Sequence, residues 1–217
     1  MSDILYGNLA RHLDNLPGGF PSTESGVEIR ILKRLFTPDE AELAVHLTLI
    51  PEEARVIARR AKCPVQETAI RLEEMAKKGL IFNMLPRNRP PLYMASQYVI
   101  GIWEYHVNDL DPDLIRDMNE YTPSLIDTEV WAKAPQLRTV PVDRSINARM
   151  EVLPHEKAED LVRGQKKFLV APCICRREHR IMGKGCNSPE ESCLIFGFAV
   201  DYYTRRGIGR WNAADFW

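Results

Sequence analysis

Apolar positions recur with the period of an α-helix from residue 27 onward. Val27, Ile31 and Leu35 are spaced four residues apart, and residues at this spacing lie on one face of a helix. Thr37 precedes a proline and stands three residues before Glu40, which is the sequence pattern of a capping box at a helix N-terminus. The pattern predicts one helix that ends near Leu35 and a second that begins just after Thr37.

Two further helices are predicted on either side of Lys62-Cys63-Pro64, where proline interrupts the periodic pattern. The second of them carries an apolar stripe and stops at Gly79, where a left-handed C-cap fits. The stripe consists of Val65, Ala69, Leu72 and Ala76. Residues 80–96 then predict two short strands around a proline-rich turn. Three helices followed by a hairpin are typical of the winged-helix variant of the helix-turn-helix, and we assign this domain to residues 28–97.

The regions before and after this predicted domain have weaker patterns. Residues 1–27 contain one short helix followed by Gly and Pro, and we interpret them as an N-terminal arm. Residues 98–165 are interpreted as a connector of helices and short strands. Its predicted parts are a helical region over 98–135 with a break at Asp111-Pro112, strands over 137–142 and 149–154, and a helix over 155–165.

Residues 166–217 form the last predicted unit, a small segment that is rich in cysteine. A strand over 166–175 leads into the first cysteines, and residues 190–207 have a helical pattern. Together these elements predict an α+β protein, mainly helical, in which a winged-helix domain is followed by the cysteine-rich segment.

Composition excludes several classes of protein. The chain has 217 residues, of which 45% are hydrophobic and 27% are charged, as is usual for a folded globular protein. No apolar run approaches the roughly 20 residues of a membrane span. The N-terminal residues also lack the apolar core of a signal peptide. We therefore expect a cytoplasmic protein that has no contact with a membrane.

The cysteines are concentrated near the C-terminal end. Cys173, Cys175, Cys186 and Cys193 follow the spacing C-x-C-x10-C-x6-C, and Cys63 stands apart from them. A disulfide framework is disfavoured in a reducing compartment. A structural zinc site usually takes its ligands from C-x2-C-like turns, which are missing here. A 4Fe–4S cluster tolerates more varied spacing, although neither common ferredoxin pattern is present. A cysteine nucleophile would need a positioned base, and the histidines are scattered.

The surroundings of the four cysteines favour the iron–sulfur cluster, with zinc as the alternative. Residues 166–217 carry 9 basic and 5 acidic side chains, against 20 and 25 in residues 1–165. The basic residues nearest the thiols are Arg176, Arg177, Arg180 and Lys184. They would offset the charge of four thiolates or dock an acidic redox partner. Glycines at 183, 185 and 197 would let backbone approach a bulky cluster. His179 is interpreted as a solvated residue, and Cys63 as a small buried hydrophobe.

Several stretches together resemble the 4Fe–4S-binding, ferredoxin-like proteins of anaerobic bacteria that carry an N-terminal winged-helix segment. They are residues 15–47, the winged-helix stretch, "PQLRTVPV" and "APCICR…GKGC…ESCLIFG", so the resemblance covers nearly the whole chain. It implies iron–sulfur binding and a redox function. Longer members of that family continue into further cysteine-rich segments, whereas this sequence ends at "GRWNAADFW". We therefore expect a short form or a fragment without a second cluster.

The helix after Pro64 is a poor candidate for reading DNA. Glu67 and Glu74 alternate with Arg71 and Lys78, so the exposed face of this helix has nearly zero net charge. Only a pair of arginines in the predicted wing, at 87 and 89, suits a DNA backbone. We expect this face to pack against the 98–135 region, a partner protein or a second copy in a homodimer.

The sequence therefore favours an iron–sulfur protein that transfers electrons to or from an unidentified redox partner. We expect an electron carrier or an accessory redox subunit rather than an enzyme. Two alternatives stay open. One is a winged-helix transcription regulator that senses oxygen or redox state, and the other is a zinc-stabilised interaction protein without redox chemistry.

Overall fold

The computed structural model describes residues 2–126 and 163–210. Within these ranges the chain is an α+β protein, about half helical, with two small antiparallel sheets. The strands predicted over 137–142 and 149–154, and most of the helix predicted over 155–165, lie outside the described residues. None of the helices in the described part of the chain is long and apolar enough to cross a membrane.

The bounds of the elements follow the predicted order along most of the chain. The helices are α1 Ser2–Asp14, α2 Val27–Leu35, α3 Pro38–Ala44, α4 Ala54–Ala61, α5 Val65–Lys78, α6 Trp103–Tyr105, α7 Pro112–Leu125, α8 Ile174–Ile181 and α9 Ala199–Arg205. The strands are β1 Glu52–Glu53, β2 Ile81–Met84, β3 Leu92–Ala95, β4 Phe168–Pro172 and β5 Glu191–Phe196.

Local signals in the sequence fix several helix ends. The capping box before α3 is confirmed, because the backbone N–H of Thr37 donates to Glu40 Oε2 at 2.9 Å and the N–H of Glu40 donates to Thr37 Oγ1 at 3.3 Å. Helix α5 ends at Gly79, whose φ of 87° lies in the left-handed region, as predicted. Helix α7 begins at the predicted break, where Asp111 Oδ1 accepts from two backbone N–H groups of the first turn.

Residues 28–97 contain α2 to α5 and a three-stranded sheet of order β1-β3-β2. The predicted hairpin is confirmed: β2 and β3 pair antiparallel, with Ile81 opposite Ala95 and Met84 opposite Leu92. The short strand β1 joins the far side of β3 just before α4 begins. Helix α5 packs against α4 and β2, which leaves the opposite side of α5 exposed among the described residues.

The residues predicted as an N-terminal arm contribute to the hydrophobic core. Helix α1 packs against α2 and α3, and Leu9 is fully buried there. The hydroxyl group of Tyr6 donates to the carbonyl of Phe36 at 2.8 Å. The ring of Phe20 lies 4.9 Å from that of Tyr98 and 5.0 Å from that of Tyr121, measured between centroids. Residues 2–20 are thus packed against the helices that follow them.

The prediction of a continuous helix over 190–207 was wrong. Residues Glu191–Phe196 form strand β5, and helix α9 begins only at Ala199. Strand β5 pairs antiparallel with β4, so its backbone hydrogen bonds are made across the sheet rather than along a helix. Gly197 separates the two elements with a φ of 66°. A short apolar run fits either period, and the pairing with β4 decided the outcome.

Helix α9 attaches the cysteine-rich segment to the end of α5. The hydroxyl of Tyr202 donates to the carbonyls of Ala76 at 3.1 Å and Ile81 at 2.7 Å. Arg206 donates to the carbonyl of Lys77 and, at 2.7 Å, to that of Tyr105. These hydrogen bonds join α9 to the end of α5, to the start of β2 and to α6. The cysteine-rich segment therefore packs on the core of the protein.

Candidate metal centre

Strand β4 leads into the first two cysteines, as predicted, but it ends at Pro172, whereas the strand was predicted to continue to residue 175. Cys173 is the residue before α8, and Cys175 lies in the first turn of that helix. Strand β5 brings Cys193 alongside, because it pairs with Ala171, two residues before Cys173. The backbone N–H of Cys173 also donates to the carbonyl of Glu190 at 2.8 Å, just past a register shift in the sheet. The junction of β4, α8 and β5 therefore gathers three of the four clustered cysteines.

The thiols of Cys173, Cys175 and Cys193 are electrostatic neighbours. Burial raises the pKa of the Cys175 thiol, and the adjacent Cys173 raises it further. Burial and the same neighbour also raise the pKa of the Cys193 thiol. Two of the three thiols thus favour the protonated form in the metal-free chain, and a bound cation would favour the thiolates.

Cys186 lies apart from these three thiols, on the exposed loop between α8 and β5. Hydrogen bonds from Ser188 lower the pKa of its thiol, and the charge of Arg176 lowers it further. Cys186 and Cys175 both line an open pocket of about 380 Å³. The remaining lining residues include Arg176, His179, Arg180, Lys184 and Ser188, and they include no carboxylate.

The thiols suit a soft metal by their chemistry, but they are not assembled into a closed site. Within residues 2–126 and 163–210, no group of three or more His, Cys, Asp or Glu side chains is placed to hold a metal ion. Cys173, Cys175 and Cys193 lie at the junction of β4, α8 and β5, and Cys186 is on a loop that contains Gly183 at a φ of 70°. A cysteine-only donor set is typical of iron–sulfur clusters and of structural zinc.

The four basic residues that were predicted to lie near the thiols differ in whether a carboxylate neutralises their charge. Arg177 Nε donates to Glu190 Oε1, and Arg180 Nη1 donates to Glu190 Oε2 at 2.8 Å. Arg176 donates to the carbonyl of Pro189 and has no carboxylate partner among the residues that the structure describes. Lys184 has no ion pair within the described ranges. The positive charge that remains available at the pocket is therefore mainly that of Arg176 and Lys184.

His179 and Cys63 are both exposed in the structure. His179 is exposed, as predicted, and its Nδ1 lies 2.7 Å from the carbonyl oxygen of Cys175. Cys63 was predicted to be buried, and this was wrong. It is exposed in the turn between α4 and α5, where Lys62 has a φ of 57°, and its thiol donates to the carbonyl of Ala61 at 3.4 Å.

The exposed face of α5 carries compensated charges. Arg71 pairs with Glu67 at 2.6 Å along the helix, and Lys78 pairs with Glu40 at 2.5 Å. Val65 and Ile70 are also exposed on this helix, at 52% and 55%. The 98–135 region was one of the predicted partners of this face, but its helix α7 packs mainly against α2. The face therefore combines neutral ion pairs with apolar side chains.

Two carboxylates near the cysteines were missed from the sequence. Glu104 accepts a hydrogen bond from the N–H of Gly101 at 2.6 Å, and burial raises the pKa of its carboxyl group to about 7. Its charge adds to the pKa increase at Cys175 and Cys193. Nothing in the sequence links Glu104 to cysteines some 70 residues away. Glu190 could have been noticed, since it lies between Cys186 and Cys193.

Comparison of the chain with protein-family models, with curated proteins and with solved structures finds no match. Function is therefore inferred from the cysteines, from the charges around them and from the helices that carry them.

Proposed function

We propose that the chain is an iron–sulfur protein in which Cys173, Cys175, Cys186 and Cys193 hold a 4Fe–4S cluster. The observation that carries the proposal is the meeting of Cys173, Cys175 and Cys193 at the junction of β4, α8 and β5, with Cys186 facing the pocket that Cys175 also lines. When bound, such a cluster supplies one-electron redox chemistry. The protein then serves as an electron carrier or accessory redox subunit in the cytoplasm, in keeping with the resemblance to 4Fe–4S proteins of anaerobic bacteria.

The residues around the thiols support a cluster with four thiolate ligands. Arg176 and Lys184 lie at the pocket and pair with no carboxylate of the described ranges, so their charges offset the negative charge of the ligated cluster. Gly185 allows the loop that carries Cys186 to pack closely on α8, because a Cβ atom there would come within 3.0 Å of Arg180 Cα. The same two basic residues provide the docking charge for an acidic redox partner.

We further propose that residues 28–97 form a winged helix that acts as a scaffold. Its support is the order of the elements: three helices, α3 to α5, then the β2–β3 hairpin, with the short β1 completing the sheet. The ion pairs of Arg71 and Lys78 leave α5 without the positive face that binding to DNA requires.

One observation favours the redox-sensing regulator as a second candidate. Tyr202 and Arg206 of α9 contact carbonyls at the end of α5, so the helix that would read DNA is joined directly to the cysteine-rich segment. A structural change in that segment would therefore act directly on α5 through these hydrogen bonds. The regulator is the second candidate because the charges on α5 are balanced, and a helix that binds DNA needs a positive face.

The proposal predicts the metal content of protein that is purified without oxygen. We expect a brown protein with a broad absorption shoulder near about 400 nm and roughly four irons per chain, as four thiolate ligands of a cubane cluster imply. Cys193→Ala should lose or convert the cluster, because Cys193 lies among the three gathered thiols. The measurements are iron and zinc analysis and the absorption spectrum.

Cys63→Ala is the matched control for this experiment. Cys63 is exposed in the turn between α4 and α5, outside the cysteine-rich segment, so its removal should leave the iron content unchanged. A colourless protein with about one zinc per chain would refute the iron–sulfur proposal in favour of the zinc alternative. Loss of the cluster in Cys63→Ala but not in Cys193→Ala would show that the ligands are assigned wrongly.

A further inference from the structure

Glu190 is a nearly buried carboxylate in the loop that joins Cys186 to Cys193. Its side chain is only 12% exposed, although its neighbours Pro189 and Glu191 lie at the surface. Both carboxylate oxygens are used: Oε1 accepts from Arg177 Nε, and Oε2 accepts from Arg180 Nη1 at 2.8 Å. A carboxylate that is held by two guanidinium groups is confined more strongly than one in an exposed ion pair.

The backbone of the same residue is also committed. The carbonyl oxygen of Glu190 accepts the N–H of Cys173 at 2.8 Å. Glu190 therefore connects three parts of the candidate metal centre: the loop between Cys186 and Cys193, the helix α8 that begins after Cys173, and the backbone of Cys173 itself.

Arg177 extends this connection to the helical part of the protein. Its Nη1 donates to the carbonyl of Val107 at 3.0 Å and to Asn108 Oδ1 at 2.5 Å. The side chain of Arg177 is 26% exposed. Residues 107–108 are thus joined through Arg177 to Glu190, and through Glu190 to the cysteine-bearing loop.

The pairing also determines the local charge. Arg177 and Arg180 bring two positive charges to α8, and Glu190 offsets one of them. Without Glu190, two guanidinium groups of one helix would stand close together with no carboxylate partner. Removing one member of a largely buried ion pair leaves an uncompensated charge, which is costlier than the loss of an exposed pair.

We propose that Glu190 is a positioning residue of the metal centre. It holds the loop that carries Cys186 and leads into Cys193 on β5 against α8, so that these two thiols stay within reach of Cys173 and Cys175. It also limits the positive charge that the centre experiences from Arg177 and Arg180. This inference rests on the proposed function for its metal-bound consequences, whereas the anchoring of the loop belongs to the polypeptide itself.

The test compares Glu190→Gln with the matched control Glu191→Gln in the full chain. Glutamine keeps the size of the side chain and removes its charge, and the neighbouring Glu191 is exposed. We expect Glu190→Gln to weaken metal retention against a chelator by about 10–100-fold, as is typical when a residue that orients metal ligands is lost. We also expect a more positive reduction potential, because Arg177 and Arg180 are no longer offset. Glu191→Gln should match the wild type in both measurements.

A metal-free measurement separates this inference from the proposed function. Hydrogen exchange of the backbone amides over residues 186–193 should be faster in metal-free Glu190→Gln than in metal-free Glu191→Gln or wild type. If wild type binds no metal, the iron–sulfur proposal fails, and a faster exchange still supports the anchoring role. If the two variants have equal exchange, equal metal retention and equal potentials, Glu190 is not a positioning residue.

Glu190→Asp provides a second variant in case the glutamine variant does not fold. Aspartate keeps the charge but shortens the side chain, so it cannot reach both arginines from the same backbone position. We expect a potential close to that of wild type together with weaker metal retention and faster exchange over residues 186–193. Wild-type values for retention and exchange in Glu190→Asp would overturn the inference.

Discussion

Cys186 differs from the other clustered cysteines in its surroundings. It is exposed, and Ser188 and Arg176 lower the pKa of its thiol, whereas burial raises the pKa of the Cys175 and Cys193 thiols. The thiolate is the reactive form of cysteine, so exposure and a lowered pKa act in the same direction at Cys186. The four positions are therefore chemically unequal before any metal binds.

This inequality predicts the order of alkylation in the metal-free protein. Under limiting iodoacetamide at neutral pH, Cys186 should be modified before Cys175 and Cys193, because a larger fraction of its thiol is ionised. The difference should shrink as the pH rises through the raised pKa values of the other two thiols. Peptide mass spectrometry over a time course measures the order. Equal rates at pH 7 for Cys186 and Cys193 would contradict it.

The sequence predicted the structure most accurately where a feature depends only on residues that are close together in the chain. Thr37, Glu40 and Gly79 act within one helical turn, so their spacing predicted the ends of α3 and α5. Cys63 was misjudged because exposure depends on where the turn between α4 and α5 lies on the surface. Glu104 was missed because burial by distant residues raises its pKa. Such effects arise only from the tertiary structure.

Strand β5 is a secondary-structure element that also depends on tertiary structure, so the sequence alone did not predict it. From Cys193 to Phe196 its residues alternate between partly buried and exposed side chains, but a four-residue apolar run is too short to separate this alternation from a helical period. Pairing with β4, about 20 residues earlier in the chain, fixes the strand. The spacing of the cysteines was visible in the sequence, and the arrangement that brings Cys193 next to Cys173 required the sheet.

The contact between α5 and α9 predicts a sensitive glycine at the end of α5. At Gly79, with a φ of 87°, a Cβ atom would come within 2.8 Å of Arg206 Nη2 and 3.0 Å of Tyr105 Cβ. Gly79→Ala should lower the free energy of unfolding by about 1–3 kcal/mol, since the left-handed conformation is unfavourable for alanine and the clash adds to that cost. Urea denaturation measures the change.

Gly26→Ala is the matched control for this prediction. Gly26 has a similar φ of 68°, but no atom lies within 4 Å of the position of its Cβ. The control variant should therefore show only the conformational part of the loss. An equal loss in both variants would mean that the close approach of Arg206 to Gly79 contributes nothing to stability.

At the scale of the whole molecule, the distribution of charge separates the leading proposal from the regulator. The chain has a net charge of −1, and the ion pairs of Arg71 and Lys78 neutralise the exposed face of α5. Non-specific affinity for DNA comes mainly from basic side chains that contact phosphates. The excess of positive charge lies instead in residues 166–217, around the thiols.

We predict no binding to random duplex DNA with a Kd below about 10 µM at physiological salt, because α5 offers no uncompensated positive face. Fluorescence anisotropy on anaerobically prepared protein, before and after oxidation, measures this. Glu67→Gln combined with Glu74→Gln should bind more tightly than wild type, which checks that the acidic residues are responsible. Enrichment of one DNA sequence in a single redox state would support the regulator instead.

The attachment of α9 to the end of α5 has a thermodynamic consequence for the entire chain. Tyr202 and Arg206 donate to carbonyls of α5, and Arg205 donates to Asn83 of β2, so unfolding of α9 would break all of these hydrogen bonds. We therefore expect the helical part and the cysteine-rich segment to unfold as one cooperative unit. A ligand that binds only the folded cysteines raises the melting temperature of α5 and β2 as well, at sites it never touches.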